Sequence, residues 1–325
     1  MQKNTELIQL EMSVIRQINL AEEQKRRFWS LKQGYIGESE VAQWLEKYAD
    51  DSWHVLSDYW FNYKSTMQAD FLLIKENHWL VIEVKNFDGA FEYRNHECYI
   101  NTHLMENNFM NAMATKVRRL TRIANEVSEN IKVTGAMIFI NEHCQVKLDY
   151  EFDYEIIQRN QFRNFLKKQT EFLAKPLLPA YLNRIQKVLN RYSIENPFQP
   201  TGLPIEDFAT IHKGVTCPAC HRFDVEITLR KVICRHCHFK EAKSETILRS
   251  ARQLRYVFFD NSEIVTTENV YQFMGASAAS RSLIRDILGK NFKKVGKTNK
   301  TYYEIEIQRG NVRGSELIRQ LRSVS

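Results

Sequence analysis

The chain has 325 residues, 43% hydrophobic and 26% charged, with 14 Tyr and 19 Phe, a composition that excludes a mainly disordered or low-complexity protein and calls for two or three compact units. Its formal charge of +7 favours a polyanionic partner, because basic residues crowd the last third (Arg249, Arg252, Arg255, Arg281, Arg285, Lys290, Lys293, Lys294, Lys297, Lys300). There is no apolar run of about 18 residues and no uninterrupted apolar core in MQKNTELIQLEMSVIRQ, so a cytoplasmic protein without a membrane partner is expected.

In chain order, Leu7, Leu10, Val14 and Ile18 have helical spacing within a stretch, residues 1 to 33, that is otherwise ambiguous. Val41, Trp44, Leu45 and Tyr48 predict a helix, followed by three extended stretches, WHVLSDYWF, QADFLLIK and HWLVIEVK. A second helix runs through Phe109, Met113, Val117, Leu120, Ile123 and Val127, and the apolar run VTGAMIFI follows. An amphipathic helix marked by Leu178, Tyr181, Leu182, Ile185, Leu189 and Tyr192 ends at NPFQPTGLP, where three of the six prolines gather. The expected organisation is a first domain at 1–195 with its core at 34–150, a linker at 196–209, a cysteine-bearing segment at 210–243 and a third domain at 244–325.

Taken as a hairpin turning at Glu76 and Asn77, QADFLLIK and HWLVIEVK place Asp70 opposite Glu83, with β-carbons about 4.5 to 5.5 Å apart. Lys85 shares the face of Glu83, while Leu80, Ile82 and Val84 point to the expected core side. Like charges so placed repel unless a cation neutralises them. A hard divalent ion, Mg²⁺ or Mn²⁺, would bind such oxygens, and Lys85 could orient or deprotonate a water or stabilise charge on a phosphate. Glu38 falls in line with Val41, Ala42 and Leu45, hence on the buried side of its helix. The plainer alternative makes Glu38 a residue of the helix start after Gly37, and Asp70, Glu83 and Lys85 a solvated ion-pair face.

At GYIGESEVAQWLE, QADFLLIKENHWLVIEVKNFDG and VTGAMIFIN the chain resembles the nuclease-related domain family, a branch of the PD-(D/E)XK nuclease superfamily, over roughly residues 34 to 150. The resemblance implies an α/β, restriction-endonuclease-like core, a mixed sheet flanked by helices. It implies that Asp70 and Glu83 bind metal, that Lys85 is catalytic and that Glu38 assists. Where family members often have Asn-Pro-x-x-Gln opening the next helix, this chain has Asn107, Asn108, Phe109, Met110 and Asn111.

CPAC (Cys217 to Cys220) and CRHC (Cys234 to Cys237) are separated by thirteen residues, the spacing of a closed, structural Zn²⁺ site in a zinc ribbon. Cys98 and Cys144 stand apart, and His221, His236 and His238 are expected to be surface residues. Arg230, Lys231 and Arg235 give the ribbon charge for a phosphate backbone, although ribbons also dock proteins. In the last segment Thr267 caps a short helix through Phe273, Gly275 breaks it, and Ser277 or Ser280 starts a helix carrying Leu283, Ile284, Ile287 and Leu288. With a strand from Tyr302 to Ile307 as a wing, this looks like a small α+β winged-helix module whose Arg281, Arg285, Lys293 and Lys294 meet DNA. The expected protein is a Mg²⁺-dependent deoxyribonuclease; the rival is a DNA-binding or scaffolding protein that keeps an inactive nuclease fold.

Overall fold

The computed structural model describes residues 3–49, 52–170, 177–297 and 301–307; Lys300 and residues 308–325 of the expected third domain lie outside them. Their contacts divide the chain into two units, one formed by Ser30–Pro197 and the other by Lys3–Trp29 with Phe198–Arg309. After α1 (Thr5–Ile15), α2 (Glu22–Tyr48) runs through both.

The first unit continues with β1 (His54–Asn62), β2 (Thr66–Ile74), β3 (His78–Lys85), β4 (Ala90–Arg94), β5 (Glu97–Ile100), β6 (His103–Leu104), α3 (Phe109–Asn125), β7 (Lys132–Phe139), β8 (Gln145–Leu148), β9 (Glu155–Gln158), α4 (Arg159–Thr170) and α5 (Pro179–Tyr192). Its main sheet has the order β1-β2-β3-β7-β9, antiparallel through β3 and parallel from β3 to β9. The step from β3 to its parallel neighbour β7 needs a crossover, and α3 supplies the helix for it. This is the mixed sheet flanked by helices that the resemblance implied.

Pairing of β2 with β3 runs from Phe71 with Ile82 to Ile74 with Trp79, the expected register. Glu76 and Asn77 form the turn, closed by Lys75 N–H donating to His78 O at 2.8 Å. Neither takes a positive φ, so the left-handed tolerance of asparagine is not used there. The sheet is covered on both faces. Leu80, Ile82 and Val84 pack with Val41 and Leu45 of α2 and Phe162 and Phe165 of α4. Trp79 and Val81 pack with Met113, Leu120 and Ile123 of α3 and Ile185 and Leu189 of α5. The expectation of a single core side for β3 is thereby corrected: an interior strand buries both faces and loses clean alternation. A second sheet, order β6-β5-β4-β8, was not visible in the residue pattern. Its β4–β5 hairpin turns on Asn95 and His96, with φ of 53° and 63°, the geometry of a type I′ turn.

In the second unit, β10 (Val225–Ile227), β11 (Lys231–Cys234) and β12 (Lys240–Ala242) form a three-stranded sheet that leads into α6 (Lys243–Val257), α7 (Thr267–Phe273), α8 (Arg281–Asn291) and the hairpin β13 (Lys293–Val295) and β14 (Tyr302–Glu304). Thr266, one residue before the cap expected from sequence, accepts the Asn269 N–H at 3.0 Å; Gly275, at φ 86°, follows α7, and Ser280 caps α8. Helix α1 packs on α6, and Met12 joins the core of Ile247, Leu254, Phe273, Ile284 and Leu288. Arg16, 1% exposed, lies 3.8 Å from the Phe273 ring centroid and donates to Gly214 O at 2.8 Å. These contacts group residues 3–29 with the C-terminal elements, whereas the sequence division ran the first domain from residue 1. No described helix is long and apolar enough to cross a membrane.

Candidate metal and catalytic centre

The β2–β3 ladder ends at Phe71 with Ile82, and side chains take over beyond it. Asp70 Oδ2 accepts the Val84 N–H at 2.7 Å, from the residue between Glu83 and Lys85. A hydrogen bond to an ionised acceptor is short and strong, so it fixes the Asp70 carboxylate at this place in the sheet. Asp70 is only 7% exposed.

Strand β1 is irregular at the same level. Its register with β2 runs from His54 with Ile74 to Asn62 with Thr66 but omits the Asp58–Asp70 pair, and Asp58 has φ 51°. Leu56, Tyr59 and Phe61 all pack with one core, as do Ala69, Leu72 and Ile74, so the inside–outside alternation reverses across Asp58 and Asp70. Asp58 Oδ1 accepts from Trp60 Nε1 and from Gln68 Nε2, each at 2.7 Å.

Glu38 reaches this cluster because α2 crosses the end of β3 at a glycine. A Cβ on Gly37 would meet Asn86 Cβ at 2.8 Å and Ile140 Cγ2 at 3.1 Å. Asn86 Nδ2 donates to Gln33 O at 2.9 Å and thereby ties the residue after Lys85 to α2. Gly37 lies inside a helix that begins at Glu22, which disposes of the alternative that Glu38 belongs to a frayed start. Gly37→Ala is expected to destabilise the first unit by about 1–3 kcal/mol through overpacking; unchanged denaturant midpoints would contradict the close approach.

Burial, then Asp70, Asp58 and Glu83, push the Glu38 carboxyl up to about 9, so it is a neutral acid at pH 7. Burial and Glu83 raise Asp70 to about 6. Burial also raises Asp58. Glu83 goes the other way: burial would raise it, but Lys116 and Lys85 outweigh that and hold it ionised. For Lys85, burial is likewise outweighed, here by Glu83 and Asp70, and its pKa rises. A carboxyl raised in the fold contributes stability that is complete below its unfolded pKa and is lost as pH climbs through its folded pKa. For Glu38 that window runs from 4.5 to about 9. Glu38→Gln is therefore expected to raise the melting temperature at pH 8 by about 4 °C or more and to flatten its decline between pH 5 and 9. Identical pH slopes in the two proteins would rule this out.

Of the four residues expected here, Lys85 Nζ lies 3.6 Å from Glu83 Oε2, Asp70 accepts the Val84 N–H between them, and Glu38 is near enough for the charges of Asp70 and Glu83 to act on its carboxyl. Sequence reasoning missed Asp58 and Lys116. The Lys116 amine of α3 contacts Glu83 Oε1. Its signal was present: Lys116 stands three residues after Met113 and four before Leu120, in the middle of the apolar stripe of α3. Asp58 had no such signal, because its position depends on a reversal that period-two reading cannot foresee. Asn108, in place of the family's Asn-Pro opening, caps α3 by accepting the Asn111 N–H at 3.2 Å.

Among the described residues, the group of three or more metal-ligating side chains that gathers within 4.8 Å is Cys217, Cys220, Cys234 and Cys237. The Cys217 and Cys237 sulfurs are 3.5 Å apart, and those of Cys220 and Cys234 3.6 Å. The backbone N–H groups of Cys237 and His236 bring the Cys234 thiol down to about 7. His221 and His238 follow each knuckle at φ 60° and 59°, and this quartet fits a zinc ribbon. Of the residues expected to meet DNA, Arg230, Lys231, Arg285 and Lys294 are exposed. Arg281 is engaged by Glu268 at 2.6 Å, Lys293 by Glu304 at 2.8 Å, and Arg235 lies 3.9 Å from Asp224.

A mixed sheet flanked by helices, with a buried Asp and a half-buried Glu and Lys at the open end of a hairpin, is consistent with a nuclease-like core. The family model described as nuclease-related domain matches residues 33–140, a span that contains Glu38, Asp58, Asp70, Glu83, Lys85 and Lys116, so the chain carries a nuclease-related domain. Comparison with curated proteins and with solved structures gives no match.

Proposed function

We propose that the chain is a divalent-metal-dependent nuclease that hydrolyses DNA phosphodiester bonds at the cluster of Glu38, Asp70, Glu83 and Lys85. The observation that carries this reading is the buried Asp70 next to the half-buried Glu83, with an amine beside Glu83, within the span matched by the nuclease-related domain. The donor set fits the ion: carboxylate oxygens suit Mg²⁺ or Mn²⁺, which take one or two carboxylates and keep waters. Asp70 and Glu83 would hold it, and when bound it supplies Lewis-acid stabilisation of charge on the phosphate and an activated water.

The chain's own groups do the rest. Lys85, ionised at neutral pH by its acidic neighbours, offsets charge developing on the phosphate and orients it. Glu38, neutral at pH 7, holds a proton that it can surrender once positive charge accumulates beside it. Asp58 ties the irregular middle of β1 to β2 through Trp60 and Gln68. The cysteine quartet would hold a structural Zn²⁺, and the helices α6 to α8 with the β13–β14 hairpin would serve as a winged-helix module, with Arg230, Lys231, Arg285 and Lys294 on the DNA backbone.

The test is cleavage of plasmid and linear DNA with Mg²⁺ or Mn²⁺, wild type against Glu83→Ala. Equal cutting by both excludes the site. The rival, a DNA-binding protein without turnover, draws on the amine of Lys116 lying against Glu83. Salt-sensitive binding with no cutting under either metal would favour it.

A further inference from the structure

Lys116 is 7% exposed, between Met113 and Leu120 at 1% and 0%. A buried ammonium requires an anionic partner, and Glu83 Oε1 is that partner. Lys85 lies 3.6 Å from the second oxygen, Oε2. Both oxygens of the carboxylate that would ligate a divalent ion thus face amines, and Lys116 makes the closer contact. An ammonium group and a metal ion draw on the same lone pairs of one carboxylate, and each repels the other.

We propose that Lys116 is a built-in counter-cation, which holds Glu83 in place when no metal is bound and lowers the affinity of the centre for divalent ions because it must yield Glu83 Oε1. The inference rests on the metal-dependent reading above. Lys116 is a positioning residue: it acts on the centre through Glu83. Its charge sits on a flexible four-carbon stem, so it can withdraw by side-chain rotation while α3 stays packed. Lys85, on a strand interior to the sheet, is exposed to 19% and remains beside Glu83 and the Phe109 ring, 5.1 Å from its centroid.

The experiment is Mn²⁺ titration of the full chain at fixed pH and ionic strength, followed by the electron paramagnetic resonance of free Mn²⁺. The proteins are wild type, Lys116→Met, Lys116→Arg and Glu83→Gln. Wild type should bind Mn²⁺ at a site that Glu83→Gln abolishes. Lys116→Met should bind at least about tenfold more tightly, and Lys116→Arg, which keeps the charge, within about threefold of wild type. Melting in chelator should be lower for Lys116→Met than for wild type, and a given Mn²⁺ concentration should raise it more than it raises wild type, whereas loss of a purely structural lysine would leave the two rises equal. Unchanged or weaker Mn²⁺ binding by Lys116→Met, with wild-type binding intact, overturns this proposal alone. Absence of Glu83-dependent binding in wild type overturns the metal reading and this proposal with it. If Lys116→Met does not fold, Lys116→Gln takes its place with the same expected tightening.

Discussion

Lys85→Met is expected to lower metal-dependent DNA cleavage by about a thousandfold or more, with little change in DNA affinity. The amine lies 3.6 Å from Glu83 Oε2 and 5.1 Å from the centroid of the Phe109 ring. Burial alone would lower its pKa, but Glu83, Asp70 and Glu38 outweigh that and raise it. An ammonium cannot take a proton from water, so of the roles open to a lysine beside two carboxylates, stabilising phosphate charge is the one consistent with its state. The loss should therefore appear in kcat, since the charge it offsets grows towards the transition state. Single-turnover cleavage of a labelled duplex, with affinity measured separately in Ca²⁺, separates the two effects. A loss confined to binding, or cleavage within about tenfold of wild type, would remove Lys85 from the chemistry.

What could be read from residues alone was whatever local rules govern. The hairpin register followed from two strand-like runs around a two-residue turn, and extended past Phe71 and Ile82 it sets Asp70 beside Glu83 and Lys85. The cysteine knuckles were equally legible, and the starts of α7 and α8 nearly so, the α7 cap falling at Thr266 and not Thr267 and that of α8 at the second of two candidate serines, because each depends on a few adjacent residues. What escaped depends on distant partners. The second sheet pairs β4 with β8, more than fifty residues apart, and its turn uses Asn95 and His96 instead of a glycine signal. The packing of α1 on α6 sets Met12 against the core of Ile247 and Leu254, and Arg16 after it donates to Gly214 O, pairings over such separations that no spacing rule announces. Lys116 was hidden by habit: a lysine on an apolar stripe reads as a flaw in the pattern until its anion is known.

The cysteine quartet should carry the stability of much of the second unit, well beyond its own loop. Removal of a zinc ion held there, or Cys234→Ser, is expected to unfold the ribbon and to lower the melting of α6 to α8 with it. Structural zinc contributes apparent free energies of about 10–16 kcal/mol in small zinc domains, far more than three strands of three or four residues can supply by packing. The coupling to α6 runs through Arg249. Its guanidinium grips Glu241 of the last ribbon strand at 3.0 and 2.8 Å and the backbone O of Thr216, just before Cys217, at 2.8 Å. Glu241 also accepts from Thr246 Oγ1 at 2.7 Å, and Val232 of β11 lies in the same core as Ile247 and Leu254. Loss of such a metal would free Cys217 and Cys234, and with them the strand positions that hold Glu241 against Arg249, so α6 would lose a bidentate partner and part of its apolar cover. Elemental analysis of protein purified without chelator should find about one zinc per chain. Calorimetry before and after chelation should then show the transition of the second unit move down or broaden, while that of the nuclease-related unit stays. A full complement of zinc whose removal leaves both transitions in place would mean that the ribbon is a passenger on a helical core that stands without it.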